Sequence, residues 1–365
     1  MRRIVIYDTT LRDGAQAESV AFSLVDKVAI AHLLDEFGID YIEGGYPLAN
    51  PKDAAFFEEI RKRPLRRAKL AAFGSTRKAS ATCDEDRGLQ ALLAAGTEVV
   101  TIVGKSWDLH VSDVLRCSLD ANLAMIRDSV AYLKAQGREV LFDAEHFFDG
   151  YHHNPDYALA TLLAAQEAGA DAIVLCDTNG GTLTSRLREI VRTVRPRVAA
   201  TLGIHVHDDA GLAVANTLAA VEEGCNHVQG TINGIGERCG NADLCVVIPN
   251  LALKLACDVL TPGAVQHATH VSRYLYNVAN LNTPQRQPYV GHNSFAHKGG
   301  LHVDAMQKNP LTYEHVRPEE VGNERRILIS ELSGTAAILA QAGGLDDSID
   351  RETGGKILQA VQSLE

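Results

Sequence analysis

Ala172-Ile-Val-Leu-Cys-Asp-Thr-Asn-Gly-Gly181 and Thr201-Leu-Gly-Ile-His-Val-His207 are two apolar runs that end in polar residues, with a helical stretch over residues 185–195 between them. A strand, a helix and a second strand in that order form a crossover, which pairs the two strands in parallel. Side chains of a strand alternate faces, so His205 and His207 leave the second strand on one side, about 7 Å apart along the backbone before the rings converge. Two imidazoles on one face suit two ligands of one metal ion. A lone His-x-His is at least as often a pair of polar strand-end residues, so the rest of the chain has to decide.

The same unit recurs along the chain. Residues 4–7 form a short apolar strand, followed by Asp8-Thr-Thr-Leu-Arg-Asp-Gly14 and a helix over 24–37 that stops at Gly38. Tyr41-Ile-Glu-Gly-Gly45 precedes a helix over 53–61. Residues 69–73 end in Gly74-Ser-Thr-Arg77 before a helix over 87–95. Residues 98–103 lead to a helix over 119–136, and residues 139–146 to a helix over 155–168. After the His-x-His strand come a helix over 214–223 and a strand over 227–232. The turn Asn233-Gly-Ile-Gly-Glu-Arg-Cys-Gly-Asn241 and a helix over 242–256 close the series.

Eight strand-then-helix units predict an α/β fold, a closed (β/α)8 TIM barrel. An open doubly wound sheet is the alternative; a G-x-G-x-x-G turn after the first strand would favour it, and none is there. In a barrel, residues just past the strand ends share one face. Asp13, Glu43, Glu145, Thr178, His205, His207 and Asn241 all fall there. From residue 263 the pattern changes to a helix over 263–281, a proline-containing turn, and Phe295-Ala-His-Lys-Gly-Gly-Leu-His302 flanking a short helix. The expected division is a catalytic barrel over 1–260 and a small C-terminal helical subdomain over 261–365.

The formal net charge is −11 and 46% of residues are hydrophobic. That balance argues against a nucleic-acid or anionic-membrane surface while leaving room for a small anionic substrate. Seven cysteines are scattered with no C-x-x-C pair, which fits a reducing compartment rather than a disulfide framework. A strand begins directly after Met1-Arg-Arg, leaving no room for a signal peptide, and no run approaches the roughly 18 apolar residues of a membrane span. A cytoplasmic protein with no membrane partner is expected.

Asp13, His205 and His207 would leave open positions on a six-coordinate divalent ion such as Mn, Mg or Zn. Without cysteine in the set, a closed structural zinc site is disfavoured. An open site suits a 2-oxo acid bound through its keto and carboxylate oxygens, with the ion as Lewis acid. Arg12 could stabilise an oxyanion or make a surface ion pair. Glu145 could be a general base, with Phe147 desolvating it, or a structural carboxylate; Asp143 on the same strand face is the rival base. Thr178 and Asn179 could bind a carboxylate or serve as cap and turn. Gln16 and Glu43 are further candidate substrate contacts. Asn241 could be a weak ligand or an outer group.

Taken together, the motifs Asp8 to Gly14, Tyr41 to Gly45, Cys176-Asp-Thr-Asn-Gly-Gly181, the His-x-His pair and Gly236-Glu-Arg-Cys-Gly-Asn241 resemble the Claisen-condensing metalloenzymes that include the isopropylmalate, homocitrate and citramalate synthases. The likeness runs from about residue 4 to about 335. Asp13-Gly-Ala-Gln-Ala-Glu18, Phe73-Gly-Ser-Thr-Arg77, Phe142-Asp-Ala-Glu-His-Phe-Phe-Asp149 and Phe295 to His302 are most similar to the citramalate branch. The resemblance implies that acetyl-CoA, as co-substrate, is deprotonated to an enolate that attacks the keto carbon of pyruvate; thioester hydrolysis then gives (R)-citramalate and CoA. It implies metal ligation by Asp13, His205 and His207 with Asn241 at or near the ion, Arg12 on the keto oxygen, Thr178 on the carboxylate and Glu145 as a catalytic carboxylate. His302 and Tyr313 fall where the family has groups that reach the partner's barrel, which implies a homodimer.

The chain departs from that pattern in three places. Asp208 follows His207 where the family has Asn, which would add negative charge near the metal. Tyr46 stands where the branch commonly has Trp. The resemblance implies a regulatory domain after this stretch, and the expectation is either that it lies outside this sequence or that the enzyme is unregulated. Three other readings remain: the same chemistry on another 2-oxo acid, a hydroxyacyl-CoA lyase on a related barrel, and a metabolite-binding barrel without turnover.

Overall fold

Short apolar runs that alternate inward and outward faces assemble into eight parallel strands. In the computed structural model, which describes residues 1–328 and 351–363, these are β1 Val5–Asp8, β2 Tyr41–Gly45, β3 Lys69–Ser75, β4 Val99–Lys105, β5 Glu139–Glu145, β6 Ala172–Asp177, β7 Thr201–Val206 and β8 His227–Gly230. They pair in chain order and β8 pairs back onto β1, closing the barrel. Helices lie between the strands, as the alternating pattern requires. The TIM-barrel reading therefore holds.

The barrel is filled in layers. Tyr7, Ala71, Val99, Leu141 and Ala172 form a buried apolar cluster with Tyr41 against it. The next inward positions along several of the same strands, two residues on, are Phe73, Thr101 and Asp143. With Glu43, His205 and Gln229, they make a largely polar layer directly beneath the mouth. The alternation that packs the centre thus also lifts polar side chains towards the C-terminal ends of the strands.

Local signals set the helix ends. Ser23 caps the helix Leu24–Phe37 in a reciprocal box with Asp26, and Gly38 ends it at φ 96°. Two expectations need correction. The helix over 242–256 is the shorter Leu244–Pro249, continued by a wider turn over Asn250–Lys254, because Pro249 offers no N–H to the ladder. The helix over 263–281 is a tight turn, Ala264–His267, leading into the helix Ala268–Val278. A further helix, Phe147–His153, follows β5 and buries Phe147 and Phe148.

Two compact units are present. One comprises Met1–Pro262 with Tyr274–Leu281 and contains the barrel. The other comprises Gly263–Arg273 with Asn282–Glu365. In the second unit Ala296–His297 pairs in parallel with Arg326–Ile327, and the helix Gly300–Lys308 follows the first of these strands. Its buried Glu314 accepts from Arg325 through Nε and Nη2, both at 2.6 Å, and meets His297 Nε2 at 3.3 Å. Among the described residues, no helix is long and apolar enough to cross a membrane.

Candidate active site and metal centre

His205 comes from β7, and His207 lies one residue past it, held by a bridge to Asn241. Asp13 comes from the turn after β1, where its backbone N–H donates to Thr9 O at 2.9 Å. Their side chains are buried and converge: His205 Nε2 and His207 Nε2 are 3.3 Å apart, and Asp13 Oδ2 lies 3.7 and 3.9 Å from them.

The protonation of this group follows from its surroundings. His205 Nδ1 lies 3.0 Å from Gln229 Oε1, and Gln229 Nε2 donates to Asp143 Oδ1 at 3.0 Å. The amide oxygen can only accept, so His205 carries its proton on Nδ1 and turns the Nε2 lone pair towards Asp13 and His207. Burial pushes His205 below the usual imidazole value. Burial, then the neighbouring His205, pushes His207 down to about 4. Burial would raise Asp13, but Arg12 and the two imidazoles outweigh it and hold the carboxyl at about 2.

One carboxylate and two neutral imidazoles are the ionisation states a divalent cation requires. Asn241 Nδ2 donates to Asp13 Oδ1 at 3.0 Å, while its buried Oδ1 has no hydrogen-bond partner among the described residues. A buried acceptor left over beside three convergent ligand atoms fits a cation, and Asp13, His205, His207 and Asn241 could hold one.

Arg12 is fixed from three sides. Its Nε bonds Glu43, its Nη1 donates to Asp13 Oδ2 at 2.9 Å, and its guanidinium carbon lies 3.9 Å from the Phe73 ring centroid. Among the described residues its hydrogen bonds run through Nε and Nη1, leaving Nη2 for a ligand. Glu43, expected as a substrate contact, is wholly buried: it accepts from Tyr7 Oη at 2.5 Å and Thr9 Oγ1 at 2.6 Å as well as from Arg12. Glu43 therefore holds Arg12 from behind rather than facing the substrate.

Arg12, Asp13, Gln16, Glu145, Thr178 and the two histidines line one cavity of about 230 Å3 at the mouth. Phe73, Val103 and Cys176 supply its apolar wall. Glu145 pairs with Lys105, a neighbour in register across β4 and β5. Thr178 Oγ1 accepts from His146 N at 2.9 Å, leaving its own O–H to donate. Asp143, raised to about 8 by burial and then by the Glu43 charge, also reaches this cavity. Arg238 ties the mouth together through Asp209 and through Thr178 O at 2.6 Å.

Two departures noted in the sequence resolve locally. Asp208 turns away to accept from Ala213 N at 2.8 Å, at the start of the helix Ala213–Glu222. Tyr46 lies edge-on to Phe73, with ring centroids 5.9 Å apart. His302 and Tyr313 belong to the second unit, where their rings stack at 4.2 Å. Sequence reasoning missed Gln229, Lys105 and Phe73. A glutamine in the middle of a short buried strand was the available signal for the first; the other two depend on register and on which ring a guanidinium meets.

Residues 3–275 match the HMGL-like family model, and residues 289–365 match the homocitrate synthase post-HMGL domain-like model. An (R)-citramalate synthase of Geobacter sulfurreducens is 54% identical, covering 100% of this chain and 70% of its own length. One from Synechocystis sp. is 53% identical over 99% of this chain and 68% of its own. Among solved structures, the hydroxymethylglutaryl-CoA lyase of Pseudomonas aeruginosa superposes with a TM-score of 0.63 at 21% identity, over 77% of this chain and 94% of that one. That last likeness speaks for the fold.

Proposed function

The chain belongs to the HMGL-like family, and on that premise we propose that it is an acyltransferase condensing acetyl-CoA with pyruvate to give (R)-citramalate and free CoA. Relatives of about half identity along the whole chain carry the name of that activity. The observation that carries the chemistry is the convergence of Asp13, His205 and His207 on the wall of the cavity that also holds Arg12, Glu145 and Thr178.

A divalent cation held by Asp13, His205 and His207, with Asn241 beside them, supplies Lewis-acid polarisation of the keto group. The residues do the rest. Thr178 donates its hydroxyl to the pyruvate carboxylate. Glu145, ion-paired with Lys105, takes a methyl proton from acetyl-CoA, and the C–H electron pair becomes the enolate. The enolate carbon bonds to the keto carbon, whose oxygen becomes an alkoxide facing Arg12 Nη2. Arg12 cannot turn away, because Glu43, Asp13 and Phe73 hold it, so its charge is preorganised for that oxyanion. Water then cleaves the thioester, releasing CoA thiol and a carboxylate, and the proton this hydrolysis sets free goes to the alkoxide to give the hydroxyl. In this reading residues 1–260 form the catalytic barrel. Residues 261–365 bring His302 and Tyr313 to the other copy's site in a homodimer, which sedimentation would test.

Free-thiol release from acetyl-CoA, measured against a panel of 2-oxo acids with and without Mn, Mg or Zn, tests the function. Release with pyruvate and none without a divalent ion is expected. Release only with a larger oxo acid would keep the chemistry and replace the substrate. No release from metal-loaded protein would overturn the reading.

A further inference from the structure

Removing a proton from the methyl group of a thioester creates a nucleophilic carbon and, on the next atom of the chain, a negatively charged oxygen. The steps above give the carbon its base and leave the oxygen without a donor. Arg12 is held by Glu43 and Asp13 and faces the keto oxygen of the other substrate. Arg238 is engaged on Asp209 and on Thr178 O. The cation in direct contact with Glu145 is Lys105.

Strand geometry puts Lys105 there. Val103 and Lys105 are two residues apart on β4, as Asp143 and Glu145 are on β5, so each pair shares a face. The two strands pair Val103 with Asp143 and Lys105 with Glu145. Val103, Asp143 and Glu145 all line the cavity at the mouth, so Lys105 leaves its strand on the cavity side. Its backbone is fixed from behind. Lys105 O accepts from the buried Asn122 through Nδ2 at 2.8 Å, and the next residue, Ser106, donates its N–H to Glu145 O at 3.1 Å. Lys105 Nζ bonds Glu145 Oε2 and no other group among the described residues, which leaves ammonium N–H groups open to a ligand. Both side chains are 23% exposed. The pair is therefore partly withdrawn from water, where a charge forming on a nearby oxygen is felt more strongly than in bulk solvent.

We propose that Lys105 is a further catalytic residue, which donates to the thioester oxygen of acetyl-CoA and stabilises the enolate as it forms. This rests on Glu145 being the base. The methyl C–H bond breaks and its proton goes to the Glu145 carboxylate. The C–H electron pair becomes the C=C bond, the carbonyl π pair moves onto oxygen, and Lys105 holds that oxygen through an N–H without giving up the proton. When the enolate carbon attacks the keto carbon, the pair returns from oxygen and the thioester C=O bond forms again. In acetyl-CoA the methyl hydrogen and the carbonyl oxygen sit on adjacent carbons. A carboxylate bonded to an ammonium offers an acceptor and a donor side by side, which is the arrangement those two atoms need.

Thiol release by metal-loaded protein, run with acetyl-CoA and with its trideuterated methyl form, tests this. Lys105→Gln keeps a donor that can still orient Glu145 but removes the charge; Lys105→Arg keeps the charge. A neighbouring cation weakens a carboxylate as a base, so if Lys105 served Glu145 alone, its loss would leave proton removal no slower. The expected result is the opposite: kcat in Lys105→Gln falls about 100-fold, the scale of a lost oxyanion donor. The KM for pyruvate stays unchanged, the deuterium isotope effect on kcat is at least as large as the parent's, and Lys105→Arg recovers most of the loss. Wild-type kcat in Lys105→Gln, a fall with a diminished isotope effect, or an equal loss in Lys105→Arg would overturn the proposal and return Lys105 to an ion pair between strands. Glu145→Gln separates the two readings. Turnover like the parent's in that variant removes Glu145 as base and the proposal with it; an inactive Glu145→Gln beside wild-type turnover in Lys105→Gln removes Lys105 alone.

Discussion

Gln229 leaves His205 Nε2 as the ring atom that could meet a cation. The amide is itself aimed, because Nε2 donates to Asp143 and leaves Oε1 for the His205 Nδ1 proton. Gln229→Met keeps the volume and removes the acceptor. Metal affinity is expected to fall about 10- to 100-fold, read by competition with a chromogenic chelator; unchanged affinity would mean that something else fixes the tautomer. His207→Ala removes a ligand outright, so bound metal and metal-dependent thiol release are both expected to disappear while the circular dichroism stays that of the barrel. Turnover persisting in that variant after chelation would sink the ligand reading. The grouping of Asp13, His205 and His207 was legible because strand-end polar groups stand out against apolar runs. Glu43 was misread because the same rule cannot tell a side chain facing the cavity from one buried behind Arg12. Gln229 and Lys105 were not seen because their partners lie on neighbouring strands, and strand register is not written in local sequence.

The turn after β8 shows how an element aims a side chain. Gly240 sits at φ 94°, and a Cβ on it would lie 2.0 Å from Gly234 O. Around it, Asn241 N donates to Gly234 O at 2.9 Å and Asp208 N donates to Gly240 O at 3.0 Å. The turn is thus stitched both to itself and to the segment just after His207, and Asn241 emerges beside Asp13. Gly240→Ala is expected to cost on the order of 1 kcal/mol or more of stability from backbone strain. It is also expected to weaken metal binding, because the turn must open. Chelator competition beside a denaturant melt measures both; a stability loss with wild-type metal affinity would show that Asn241 is aimed by other contacts. The sequence placed a turn over residues 233–241 without showing how it aims Asn241. It did not show the helix Phe147–His153, because the left-handed residue His146 starts that helix without any of the usual caps.

The closed barrel was readable because one unit repeats eight times, and a repeat survives errors at every single boundary. What a repeat does not convey is the charge state of the interior, and that governs how the whole molecule responds to pH. His227, in the apolar layer beside Tyr7 and Tyr41, is pushed by burial from 6.5 down to about 3. The unfolded chain binds this proton first as pH falls, so the stability His227 contributes is present above about 6.5 and is lost progressively towards 3. Asp8 runs the other way. Burial raises it from 3.8 to about 7, against the opposing hydrogen bonds from Thr10. The folded state keeps this proton longer, so its contribution is present below about 4 and is lost as pH rises to 7. Between these limits the two slopes oppose each other, and single variants unmask them. Relative to the parent protein, His227→Leu is expected to gain stability as pH falls below 6.5, and Asp8→Asn, which mimics the protonated acid, as pH rises from 4. Each difference should approach about 1.4 kcal/mol per pH unit. Urea unfolding of parent and variants across this range provides the measurement. Variant curves that stay parallel to the parent's would show that these buried groups keep their ordinary proton affinities.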